Sequence, residues 1–216
     1  MRPCGPRQQN SEVVSWRRAV WPERKRVLGV YEFVMVLVSV IMGFGITTIL
    51  DGAISALRAD TPWRPGLIHS LWVGALFLFT IHLWLLRWRV SGRAEWTQAE
   101  VLAFLYVPVV LFALAKMAFP AKSREVDLTT YLLDNRRVFF GLWIMLYLGL
   151  AFGPTVFYEG GAVYADEPFD PRLVLTVTPV LALLAWSTNR KLHLVFAVFW
   201  LFLGFVAFAR DAGFTG

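Results

Sequence analysis

Charged residues are absent from six long stretches of this chain, and that spacing organises everything else. Phe33–Leu50 runs 18 residues without a charge, Gly66–Leu86 runs 21, and Val101–Ala115 runs 15 before Lys116. Val138–Tyr158 adds 21, Leu173–Asn189 adds 17 and Leu192–Ala209 adds 18. Crossing the hydrocarbon core takes about 20 helical residues at about 1.5 Å each. Backbone groups in lipid must pair within the segment, so these runs predict helices, and the alternation of a membrane barrel is missing. The expected fold is all-α: a polytopic transmembrane bundle of six spans, about 29–57, 66–87, 99–119, 138–158, 172–188 and 192–209. The organisation is a basic, Trp-containing segment at 1–27 followed by a helical domain at 28–216.

Composition agrees. The chain is 57% apolar and 17% charged, with mean hydropathy +0.57, too little charge to cover a soluble domain of this size. Its net charge of +6 does not imply nucleic acid, because the basic residues flank the spans. Cys4 is the single cysteine, which excludes an internal disulfide and a cysteine-based metal site. The apolar run after the basic lead is too long for a cleavable signal, so the first span is expected to stay as its own insertion signal. Trp16, Trp21 and Arg24 in the lead, and Arg136 and Arg137 before the fourth span, are expected at the lipid headgroups.

Loop charge leaves the topology contested. With six spans and the N-terminus cytoplasmic, Arg87, Arg89, Arg93, Arg172 and Arg210 join the seven basic residues of the lead inside. Arg58, Arg64, Lys122, Arg124, Arg136, Arg137, Arg190 and Lys191 then lie outside, so the inward bias is modest. The alternative is five spans plus a re-entrant third segment turning at Pro108, which moves more basic residues inside. Reporters joined at Ser123 and Gly160 separate the readings, because a shared side would remove the fourth crossing.

Within the first span, polar and small residues form a pattern. At about 100° per residue, Glu32, Ser39 and Gly43 fall within roughly 40° of one another, with Thr47 and Asp51 following on the same ridge. Such a ridge allows close helix packing. It also allows a polar path whose mouths are Glu32 and Asp51, about 28 Å apart along the axis. Lys116 is the one basic residue inside an apolar stretch, expected to snorkel or to pair with Glu32 or Asp51. The turn-rich acidic loop after the fourth span lacks the alternating ligands of a calcium loop. A Ser-His-Asp elbow, a phosphate-cradling glycine loop and a His-Glu-x-x-His motif are all missing, which argues against a familiar membrane enzyme.

The stretches "YEFVMVLVSVIMGFGITTIL", "IHSLWVGALFLFTIHLWL" and "DNRRVFFGLW", with the Pro-centred third span, cover most of residues 31–145. They resemble a group of uncharacterised bacterial multi-pass membrane proteins with no assigned activity. The resemblance implies a bacterial inner-membrane setting and supplies no site residues. Two functional classes follow. One is a non-enzymatic membrane subunit or small channel- or transporter-like bundle, meeting lipid and either further copies of itself or other membrane subunits. The other is a redox subunit holding haem b through His82 with His193 or His69.

Overall fold

The computed structural model describes residues 29–58, 63–86, 96–120, 126–157 and 171–211. Among them the long helices are α1 (Val30–Leu57), α2 (Leu67–Leu86), α3 (Gln98–Met117), α5 (Arg136–Phe157), α6 (Pro171–Trp186) and α7 (Arg190–Asp211). A short helix α4 (Leu128–Asp134) precedes α5, and the two-residue strands β1 (Trp63–Arg64) and β2 (Val126–Asp127) pair in parallel. The protein is an all-α bundle, and each of its six long helices contains most of one of the six uncharged runs. Val30–Leu57, Leu67–Leu86, Gln98–Met117 and Arg190–Ala209 are each long and apolar enough to cross a membrane, while Val174–Trp186 is a shorter apolar helix.

α3 passes through Pro108 without a break. Its 20 residues extend about 30 Å. The re-entrant alternative needs a turn at Pro108, and the helix continues there instead. Only one backbone hydrogen bond is lost to a proline, and neighbouring helices bury this one. The start of α3 is fixed by a capping box. Thr97 Oγ1 accepts from the Glu100 backbone N–H at 3.3 Å, and the Glu100 carboxylate accepts from the Thr97 N–H at 2.7 Å.

Neighbours in space are not always neighbours in sequence. α1 and α3 run parallel: a Cβ on Gly45 would lie 3.8 Å from the Phe112 backbone, and one on Gly52 would meet the Phe119 ring at 2.5 Å. α2 and α7 also run parallel, with Gly74 against Leu201 and Gly204 against Leu78. α5 runs antiparallel to α3: Tyr106 donates to the Met145 carbonyl at 3.0 Å partway along both, while Tyr131, just before α5, donates to the Phe119 carbonyl at 3.3 Å at the end of α3. The ends of α1 and α3 therefore lie together with the starts of α2 and α7. That shared end carries β1 and β2, whose parallel pairing follows from leaving two parallel helices side by side. Gly66 leaves room there for Thr129 to approach the backbone closely.

Aromatic rings fill the space between α2, α5 and α7. Trp72, Phe139, Phe140 and Trp143 are fully buried. Trp72 meets Phe140 edge-on at 4.9 Å, and Trp143 stacks on Tyr147 at 6.2 Å. Lipid tails are as apolar as leucine, so ring geometry and close packing hold these helices together, at about 0.5–1.5 kcal/mol per good aromatic pair. The outside carries Phe33, Phe44, Leu57, Leu175, Phe202 and Phe205, each at least 60% exposed. That apolar outer surface is what a helical membrane protein offers to lipid.

Candidate functional site

α1 has two unlike faces. Val34, Val38, Met42, Gly45, Ile49, Gly52 and Ala56 are buried in the bundle. The ridge marked by sequence faces away: Glu32, Ser39, Thr47 and Asp51 are exposed, and Gly43 is half-buried. A Cβ on Gly43 would meet nothing within 4 Å. Among the described residues nothing packs closely on Gly43 of this ridge. Gly45 and Gly52, on another side of the helix, make the close approaches instead.

The ridge keeps its polar groups engaged locally. Thr47 Oγ1 donates to the Gly43 carbonyl at 2.8 Å, and Ser39 Oγ accepts from Trp84 Nε1 at 3.3 Å. Exposed Val40, Phe44, Leu50 and Ile54 flank it, so the ridge is a polar stripe set in a lipid-facing surface. The buried polar and charged side chains described are His69, Thr80, Glu100, Thr129 and His193. Thr80 returns its hydroxyl to the Leu76 carbonyl at 2.7 Å, and Glu100 belongs to the capping box.

The histidines divide between the two ends. His69, the third residue of α2, directs Nε2–H to the Ala118 carbonyl at 2.8 Å, and its ring meets Phe119 edge-on. His193, near the start of α7, directs Nε2–H to the Ser187 carbonyl at 2.9 Å and packs against Phe140. Parallel packing of α2 and α7 puts His82 at the level of the end of α7, about 20 Å along the axis from His193. His82 is also about 20 Å from His69 on the same helix. His69 and His193 share an end, yet each spends Nε2 on a different carbonyl. The residues expected to hold haem b are not assembled around one iron. Among the described residues there is no group of three or more His, Cys, Asp or Glu able to hold a metal ion.

Charged residues collect where β1, β2 and α4 lie. Lys116 is exposed, with Nζ 5.5 Å from the Phe112 ring centroid. Register with α1 puts Glu32 at the opposite end, about 25 Å away, so those two do not pair. Arg136 is half-buried and donates to the Leu133 carbonyl at 2.7 Å, whereas Arg137 is exposed. Trp16, Trp21 and Arg24 lie outside the described residues. Asn135 does not use its side chain as an N-cap for α5; it donates back to the Tyr131 carbonyl at 2.9 Å.

Sequence reading missed Asp127. Its carboxylate caps α4 by accepting from the N–H groups of Thr129 and Thr130 at 3.3 and 3.2 Å. It also accepts from the Thr130 hydroxyl at 2.7 Å, and Arg190 donates to that hydroxyl at 3.4 Å. The Thr130 hydroxyl bond, aided by the two backbone bonds and the Arg190 charge, holds the Asp127 carboxyl below its usual range. The signal was present as an acid directly before "LTTYLL", an N-cap pattern inside a stretch read as loop.

The chain matches no protein-family model, no curated protein and no solved structure.

Proposed function

We propose that this chain is a non-enzymatic subunit of a bacterial inner-membrane assembly, with six spans and a cytoplasmic N-terminus, that associates with further copies through the outer face of α1. The outward stripe of Ser39, Gly43, Thr47 and Asp51 carries the reading. Polar groups facing hydrocarbon cost free energy, and a small-residue ridge at i, i+4 spacing is what a second helix needs for close backbone approach. Two copies of one ridge related by a twofold axis complement each other without further design. The apolar, ring-filled core of each chain favours any solute path lying between copies, with Thr47 and Asp51 along it. The resemblance to bacterial multi-pass proteins supports the inner-membrane setting.

Cysteine cross-linking tests it. With Cys4→Ser as background, Gly43→Cys is expected to give an oxidised dimer in native membranes, and Phe202→Cys on the outer face of α7 is not. A monomeric Gly43→Cys chain, with the protein correctly inserted, would falsify the association.

A further inference from the structure

A cleft of about 360 Å³ separates the second half of α1 from the first half of α2. Its volume falls in the range of small-ligand sites, about 300–1,000 Å³. Ile49, Leu50, Ala53 and Leu57 supply one wall, and Val73 and Phe77 supply much of the other. Phe119 and Pro65 close it beside β1. Its side opens toward lipid, because Leu50 and Leu57 are exposed there.

Two polar side chains reach this apolar space, His69 and Ser70, and both lie in the first turn of α2. His69 is 2% exposed, and its orientation is fixed by the Ala118 carbonyl and by the Phe119 ring at 5.3 Å. The bond to Ala118 uses Nε2–H, which makes Nδ1 of the neutral ring a hydrogen-bond acceptor. Among the described residues nothing donates to that Nδ1. His69 lines the cleft, and an acceptor in an apolar lining asks for a donor brought by a ligand.

The lining excludes most ligands. Among the described residues it contains no Lys, Arg, Asp or Glu, so none of them compensates a charged headgroup. Phe77 lies eight residues beyond His69, about 12 Å deeper along α2. The polar end of the cleft therefore sits near the edge of the bilayer and its apolar length runs toward the middle. That is how a single-chain amphipath lies in a membrane. We propose that this cleft binds an uncharged, membrane-dissolved amphipath whose hydroxyl head donates to Nδ1 of His69 while its apolar body lies between α1 and α2. The site needs one chain only, and it meets the self-association stripe at a single shared residue, Leu50.

Full-length protein in lipid nanodiscs provides the test, with binding heats corrected by empty nanodiscs. The probes are para-decylphenol, its methyl ether, which cannot donate, and dodecanol. At least one hydroxyl probe is expected to saturate and to bind about fivefold or more tightly than the ether, the difference made by one buried hydrogen bond. Preference for the phenol would identify a ring-headed ligand of the hydroquinone type, and preference for dodecanol an aliphatic lipid alcohol. His69→Leu is expected to remove the preference for the hydroxyl. His69→Gln keeps both a donor for Ala118 and an acceptor for the ligand, so it is expected to retain it. Ala53→Phe, which fills the cleft from the α1 wall, is expected to weaken every probe at least about tenfold. Equal binding of hydroxyl probes and ether to the unaltered protein overturns the proposal. So does unchanged affinity in a folded Ala53→Phe variant.

Discussion

Gly43 and Gly52 are the same residue on the same helix, and the structure gives them opposite roles. A side chain at Gly52 would enter the Phe119 ring. That ring is held between Trp63, stacked at 6.1 Å, and His69, so it has little freedom to move aside. Gly52→Val is expected to cost about 1–3 kcal/mol, the usual penalty for overpacking a filled interior, read as an earlier thermal unfolding in detergent. Gly43→Leu meets open space and is expected to change monomer stability by less than about 0.5 kcal/mol. Its effect belongs to association between copies. Spacing alone could not tell the two glycines apart, since α1 is apolar nearly all round. In lipid there is no contrast between apolar and polar faces to say which side turns inward. The ridge was legible as a ridge, but its direction depended on where the Phe119 ring lay.

Elements differ in how clearly sequence announces them. The six long helices follow from uncharged runs, and a buried proline inside α3 did not change that. α4 was invisible because seven residues beside several charges read as a loop, and because its packing comes from Thr129 against Gly66, which are distant in sequence. Its stability rests on Asp127. Asp127→Ala is expected to cost about 1 kcal/mol at neutral pH, as loss of an N-cap does. The sign with pH follows from the depressed carboxyl. A group whose folded pKa lies below its unfolded value stabilises above the unfolded value, about 4 for aspartate, and loses that contribution as pH falls through the folded value. Unfolding temperatures of the unaltered protein and of Asp127→Ala should therefore differ at pH 7 and draw together as pH falls below the usual aspartate value of about 4. A gap that persists in acid would mean that the carboxylate is not what holds α4.

At the scale of the whole molecule, membrane class was legible and helix order was not. Short connections favour neighbours in sequence, yet α1 lies against α3 and α2 against α7, each pair in parallel. Aromatic bulk explains part of this, because Trp72, Trp143 and Trp200 need one shared space and only a lateral arrangement of α2, α5 and α7 supplies it. Parallel packing also decides which histidines can meet, so it bears on function as well as shape. A direct check lies midway along both helices, where a Cβ on Gly204 would sit 3.8 Å from the Leu78 Cβ. Disulfides join Cβ atoms about 3.8 Å apart. In a Cys4→Ser background, Leu78→Cys with Gly204→Cys is expected to lose both free thiols on oxidation while remaining monomeric on a denaturing gel. The control is Leu78→Cys with His193→Cys, about eleven residues and some 16 Å from that register, which should keep both thiols free. A reversed outcome would require α7 to meet α2 in another register or direction. It would bring His82 to the level of His193 and revive the pairing that the parallel register keeps apart.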